Sequence, residues 1–134
     1  MNEQTKHYFD KLAFEIDSAD VADFFRNENP TGKLIVIDTR SKEAYAQEHI
    51  PGATSFPHRT MTEASTTLLD KTAVYVTYCD GIGCNASTKG AYKLSALGFQ
   101  VKELMGGLDW WKRDGYSTEG EVGVKRNVDV VCGC

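Results

Sequence analysis

"VTYCDGIGCNAS", residues 76–87, decides how the rest of the chain is read. It begins as a strand, because Val76, Thr77 and Tyr78 continue the β-branched and aromatic run "AVYVTYC" (73–79), the strongest strand pattern in the sequence. It ends as a helix. "NASTKGAYKLSALGF" (85–99) sets Gly90, Leu94 and Leu97 on one helical face and closes on Gly98 followed by apolar Phe99, the order of a Schellman cap. Between the two elements stand a cysteine, a glycine-containing loop and a second cysteine. A loop of this kind turns backbone N–H groups and the positive end of the helix dipole toward Cys79, and both favour an anion. The thiolate is the reactive form of cysteine, and such surroundings lower its pKa from about 8.5 into a range of about 3.5–7.5. Cys79 is therefore the candidate nucleophile. Gly81 and Gly83 are expected to curl the loop through positive φ so that its amides face the sulfur.

Outward from this loop, strands and helices alternate. "IDSADVADFFRNENP" (16–30) carries a cap at Asp17 or Ser18, apolar Val21, Phe24 and Phe25 at helical spacing, and Pro30 beyond the end. "KLIVIDT" (33–39) is a continuous apolar run of the kind buried on both faces of a parallel sheet. "SKEAYAQEH" (41–49) reads as a helix stopped by Pro51-Gly52, "ATSF" (53–56) as a short strand and "QVKEL" (100–104) as another. "GGLDWWKRDGY" (106–116) reads as a helix entered through two glycines. The pattern predicts an α/β layer fold with a mostly parallel sheet and right-handed crossovers. Ligands in such sheets gather at the carboxyl ends of the strands, which collects Asp38 to Arg40, Pro57 to Arg59, Cys79 onward, and Met105 to Gly107. A single domain is expected over residues 1–116, followed by a tail, 117–134, that loses periodicity and ends Cys-Gly-Cys.

Composition narrows the function. The 134 residues suit one domain with a real core, and 41% hydrophobic with 25% charged residues is a globular balance. A net charge of −4 without a Lys/Arg-rich run argues against nucleic acid or an anionic membrane as partner. The N-terminus has no apolar core of a signal peptide, and no stretch approaches the roughly 20 apolar residues of a spanning helix, so a cytoplasmic location is the expectation. In a reducing compartment Cys79, Cys84, Cys132 and Cys134 weigh toward reactivity rather than a disulfide framework.

The chain resembles the rhodanese-like sulfurtransferase family. "VIDTRSKEAYAQEHIPGATSFP" (36–57) is similar to the family's first signature, "YCDGIGCNASTKGAYKLSALGF" (78–99) to its cysteine loop and following helix, and "LMGGLDWW" (104–111) to its second signature. The resemblance implies a three-layer fold, a five-stranded mostly parallel sheet flanked by helices, with Cys79 carrying sulfane sulfur as a persulfide. The sulfur would come from a small-molecule or protein donor and pass to a thiol or cyanide, with no metal or organic cofactor. Two departures bear on the donor: the loop is longer than the commoner form, and it lacks the Arg or Lys that binds anionic thiosulfate, carrying Asp80 instead. Cations from other strand ends, Arg40 or Arg59, would have to offset Asp80.

The remaining loop positions, Ile82, Cys84 and Asn85, are assigned to the loop and its substrate contacts. Cys84 is read as a packed thiol in the helix's first turn rather than a resolving group. Asp38 and Arg40 could either contact substrate or form an ion pair bracing the strand end. His49 is read as a turn histidine, and His58 is given no proton-transfer role. One of Trp110 and Trp111 is expected to cover the core and the other the rim of the site. Cys132 and Cys134 are candidate sulfur acceptors, or disulfide partners of Cys79 that protect it under oxidation. Three rival readings remain. A cysteine phosphatase would need an arginine closing the loop, where Asn85, Ala86 and Ser87 stand. A four-thiolate metal site has spacings unlike the usual zinc knuckles. A silent binding module of the same fold is opposed only by the presence of Cys79.

Overall fold

The structure is a computed structural model describing residues 1–126. In chain order the elements are α1 (Glu3–Phe14), β1 (Glu15–Ile16), α2 (Ser18–Arg26), β2 (Leu34–Asp38), α3 (Lys42–Gln47) and β3 (Thr54–Ser55). A single turn of tight helix at His58–Thr60 follows, then β4 (Val74–Tyr78), α4 (Ala86–Ala96), β5 (Gln100–Leu104) and α5 (Gly107–Arg113). The five strands form one sheet in the order β1-β5-β4-β2-β3, and every pairing is parallel. No helix among the described residues is long and apolar enough to cross a membrane.

Register brings the strand ends together. Asp38 pairs with Tyr78 and with Ser55, and Thr77 pairs with Glu103, so β2, β3, β4 and β5 finish at one edge. The residues that leave that edge are Thr39-Arg40, Phe56-Pro57, Cys79-Asp80 and Met105-Gly106. Period-two alternation then divides the core between the two faces of the sheet. Val36, Val76 and Tyr78 pack with Val21 and Ala22 of α2 and with Leu108 and Trp111 of α5, whereas Ile37 and Tyr75 pack with Leu94 of α4, Met61 and Phe99. This is the helix–sheet–helix layering expected from the sequence.

Local signals explain most of the boundaries. Asp17 caps α2 by accepting from the Asp20 amide at 2.9 Å, and Ser41 caps α3 by accepting from the Ala44 amide at 3.2 Å. α4 ends in the anticipated Schellman motif: Gly98 has φ of 94°, its amide donates to Ser95 O, and the Phe99 amide donates to Leu94 O. On α2 the buried face is Val21 and Ala22, while Phe25 turns outward over Gly52. The sequence reading omitted α1 and β1. β1 has only two residues, too few for a periodicity to register, and α1 buries none of its residues, its apolar Tyr8, Phe9 and Leu12 standing exposed rather than in the core.

Residues 117–126, assigned in sequence to the tail, hydrogen-bond to the end of α3 and to the residues that follow it. His49 and Glu119 exchange both backbone hydrogen bonds at 2.9 Å, and the Val122 amide donates to Gln47 O. The Thr118 hydroxyl and the Lys112 ammonium donate to the Glu48 carboxylate at 2.6 and 2.8 Å. Burial opposes ionisation of Glu48, but these two hydrogen bonds outweigh it and lower its pKa. Periodicity could not reveal this docking, because it rests on single polar contacts between residues far apart in sequence. Cys132 and Cys134 lie outside the described residues.

Gly90 shows how closely α4 sits on the strand ends. A Cβ there would stand 2.7 Å from Thr39 Cγ2, although alanine would favour the helix by about 1 kcal/mol. Gly90→Ala is expected to lower stability in urea unfolding by about 1–3 kcal/mol through overpacking. Adding Thr39→Ser, which removes Cγ2 and keeps the hydroxyl, should restore most of the loss.

Candidate active site

The site is built on a charged group that water hardly reaches. Asp38 closes β2 fully buried, and its carboxylate accepts from Arg40 Nε at 3.0 Å and from Nη2 at 2.7 Å. The same guanidinium donates through Nη1 to Asp80 Oδ1 at 2.9 Å and through Nη2 to the Glu48 carbonyl at 2.6 Å. Its side chain is only 8% exposed. Burial disfavours the charge, but the hydrogen bonds to Asp38 and Asp80 outweigh it, so the pKa is raised and Arg40 stays protonated. Of the two readings left open, the bracing ion pair is present in the geometry, and it takes up most of the guanidinium's N–H donors, leaving one Nη1–H over.

Tyr78 completes the brace. Its hydroxyl donates to Asp38 Oδ2 at 2.8 Å and accepts from the Ile50 amide at 3.1 Å. Burial, and then the Asp38 charge, raise its pKa, so it remains a donor. The sequence reading took Tyr78 only as a strand former. Its one available signal was position: it ends β4 opposite Asp38 in register.

Cys79 follows immediately. It is 2% exposed and bonded to Cys84, whose Cα lies 6.2 Å away. This corrects one expectation. Cys84 is not in the first turn of α4, which begins at Ala86 after Asn85; it stands in the loop, partly exposed, bonded to Cys79. The tail cysteines proposed as partners of Cys79 lie outside the described residues. The loop in between, Asp80 to Gly83, reaches solvent at Ile82, 80% exposed.

The glycines act differently from expectation. Neither Gly81 nor Gly83 has positive φ. A Cβ at Gly81 would press on Asp109 Cβ at 3.2 Å, whereas one at Gly83 would meet only open space. The left-handed conformations fall on the facing segment, at Gly106 and Gly107. A Cβ on Gly107 would lie 2.4 Å from the Cys79 carbonyl oxygen. That approach lets the amides of Leu108 and Asp109 donate to the carbonyls of Cys79 and Asp80 at 2.9 and 2.8 Å. α5 thus clamps the root of the cysteine loop. Trp111 is buried in the core and Trp110 half-exposed beside Ile82 and Gly106, the division expected of the pair.

Two clefts are lined by both cysteines, and a third, of about 670 Å³, by Cys84, Asp80 and Arg40. The wider of the two, of about 590 Å³, is lined by Thr39, Lys42, His58, Arg59, Cys79 and Cys84 among others. Arg59 is exposed and forms no ion pair among the described residues, so its charge remains available. Burial first, then Lys93, Lys89 and Arg59, lower the His58 pKa, which marks this side as electropositive. The second cleft, of about 380 Å³, is lined by Cys79, Cys84, Ser87, Thr88 and Glu103. Asn85 makes no side-chain cap to α4, so the helix opens uncapped between the clefts. Among the described residues Cys79, Asp80 and Cys84 are the group whose ligand atoms cluster within 4.8 Å of one another. Asp80 is held by Arg40 and the two sulfurs by each other.

With this geometry in place, comparison with known proteins is informative. Residues 21–114 match the model of the rhodanese-like domain. The chain belongs to the rhodanese-like family. A Bacillus halodurans protein of known crystal structure is 40% identical and superposes with a TM-score of 0.84, over 98% of this chain and 93% of that one. A Lactobacillus plantarum protein is 28% identical with a TM-score of 0.73, over 89% and 99%. A Pseudomonas aeruginosa thiosulfate sulfurtransferase is 25% identical with a TM-score of 0.65, over 84% of this chain and 20% of that one. No curated protein matches the chain. The matched region of this rhodanese-like domain contains the Asp38–Arg40 brace, the cysteine loop and the α5 clamp together.

Removing one partner of a buried ion pair strands the other charge. Arg40→Met is expected to lower unfolding free energy by about 3–5 kcal/mol, while Tyr78→Phe, which removes one hydrogen bond to a charged group, should cost about 1.5–3 kcal/mol. Both are read from urea denaturation at neutral pH.

Proposed function

We propose that this rhodanese-like protein is a sulfurtransferase in which Cys79 carries sulfane sulfur as a persulfide. The observation that carries the reading is the placement of Cys79: at the carboxyl end of β4, at the root of a loop clamped by α5, with solvent clefts on two sides. The family supplies the chemistry for a cysteine so placed. In the reduced protein the Cys79 thiolate attacks the outer sulfur of a donor, expelling the rest of the donor as a thiolate or sulfite. An acceptor thiol or cyanide then takes the outer sulfur and restores the thiolate. Each half-reaction exchanges one sulfur bond for another and needs no general base once the thiol is ionised.

Electrostatics favours a donor of modest charge. Asp38, Asp80 and Arg40 together leave one net negative charge beside the loop, and among the described residues the cations lining the wider cleft without an ion pair are Lys42 and Arg59. A thiosulfate dianion therefore meets repulsion from the loop and attraction only from the cleft wall. A thiol persulfide, with its charge spread over a larger molecule, suits the site better.

A Cys84→Ser chain, which cannot close the disulfide to Cys79, should gain one sulfur atom in intact-mass analysis when reduced, desalted and exposed to glutathione persulfide, and Cys79→Ser should gain none. A Cys79→Ser chain that still acquires sulfur, or still turns cyanide into thiocyanate, would refute the assignment. For thiosulfate, Arg59→Gln should raise the apparent KM and Asp80→Asn should lower it, each by roughly threefold to tenfold at low ionic strength and less at high salt.

A further inference from the structure

Cys84 is the one reactive group beside the nucleophile that sulfur transfer does not use. We propose that Cys84 is a resolving thiol that discharges the Cys79 persulfide as hydrogen sulfide, giving the protein a dithiol-dependent sulfane-sulfur reductase activity. The inference rests on the persulfide reading above, to which it adds a second fate for the carried sulfur.

The contact itself selects the reaction. Cys84 Sγ is bonded to Cys79 Sγ, and in a persulfide that atom is the inner sulfur. A thiolate arriving from solvent meets the outer sulfur and carries it away. Cys84 attacks the inner one. The bond formed is Cys79 Sγ–Cys84 Sγ, the bond broken is that between the inner and outer sulfurs, and the outer sulfur leaves with the electron pair as HS⁻. The Cys84 proton goes to water or to the departing sulfide. The sulfane sulfur is reduced by two electrons and the cysteine pair is oxidised by two. No oxidant is required. An external dithiol then reduces the disulfide and closes the cycle.

Three features of the loop suit this step. The Cα–Cα distance of 6.2 Å lies within the ordinary span of a disulfide, so the bond forms without rebuilding the strand end. The intervening segment, Asp80 to Gly83, is short, and Cys84 stands in the loop before α4 rather than within the helix, so its pairing with Cys79 disrupts no helical turn. Exposure is asymmetric: Cys79 is buried and Cys84 partly open, so a reductant reaches the Cys84 sulfur first and releases Cys79 as the thiolate, the form needed for the next donor. A thiol tethered by so few residues competes with millimolar free thiols without binding anything.

A single-turnover experiment separates the two fates. Full-length protein is reduced, desalted anaerobically, and mixed with one equivalent of glutathione persulfide in the absence of added reductant. Wild type is expected to release close to one equivalent of sulfide per chain and to end with a Cys79–Cys84 disulfide in peptide mapping. Cys84→Ser should take up the same sulfur, which also shows that the variant is folded, and hold it as persulfide with sulfide release at least tenfold slower. A Cys132→Ser/Cys134→Ser chain should behave as wild type. If wild type and Cys84→Ser retain persulfide alike, or if the disulfide maps to Cys132 or Cys134, the resolving role is overturned while persulfide carriage stands. If neither chain gains sulfur and no sulfide appears, the sulfurtransferase reading itself fails, and this inference with it.

Discussion

A carboxylate with no exposure to water has to be neutralised where it stands, and much of this molecule is arranged around that requirement at Asp38. Arg40 supplies the charge and a bidentate geometry, and Tyr78 supplies a further donor. The guanidinium has donors left over, which it spends on Asp80 of the cysteine loop and the Glu48 carbonyl at the end of α3. One buried ion pair therefore ties β2, β4, α3 and the loop into a single unit. Such pairs are weak contributors to net stability against an apolar alternative, because desolvation offsets most of the attraction. Their value here is geometric. With five directional donors in a fixed plane, an arginine can hold elements at set distances in a way that an aliphatic side chain cannot.

The second constraint is the closeness of α5 to the root of the loop. Gly107 lets the helix backbone touch Cys79 O, and the first amides of α5 cap the carbonyls of Cys79 and Asp80. These contacts fix the start of the loop while its tip, at Ile82, is left in solvent.

The brace has a consequence for charge. Arg40 lies next to the cysteine loop, yet Asp38 and Asp80 offset its charge there and most of its donors are taken. The positive character of the wider cleft comes instead from Arg59 and Lys42, which line it. The unpaired cations near the cysteine pair thus stand on the cleft wall rather than in the loop.

Much of this was legible in the sequence, and the physical reason is consistent. Strands β2 and β4, helices α2, α4 and α5 and the Schellman end at Gly98 announced themselves because each is set by neighbours a few residues apart: an apolar run, a cap, a glycine at the helix end. The collection of Arg40, Arg59, Cys79 and Gly107 at one edge also followed, since a parallel sheet forces strand ends together. What the sequence could not assign were outcomes decided across the sheet. Whether Arg40 faces a substrate or a carboxylate depends on Asp38 being fully buried and on Asp80 folding back to it. Whether Cys84 packs away or meets Cys79 depends on where the loop ends relative to α4. The positive φ expected at Gly81 and Gly83 appears instead at Gly106 and Gly107, because close approach by α5 sets the requirement, and that helix comes from another part of the chain. The docking of residues 117–126 rests on Glu48 finding Thr118 and Lys112. Each of these pairings is long-range and carried by one or two polar atoms, and only the folded chain decides which partners meet.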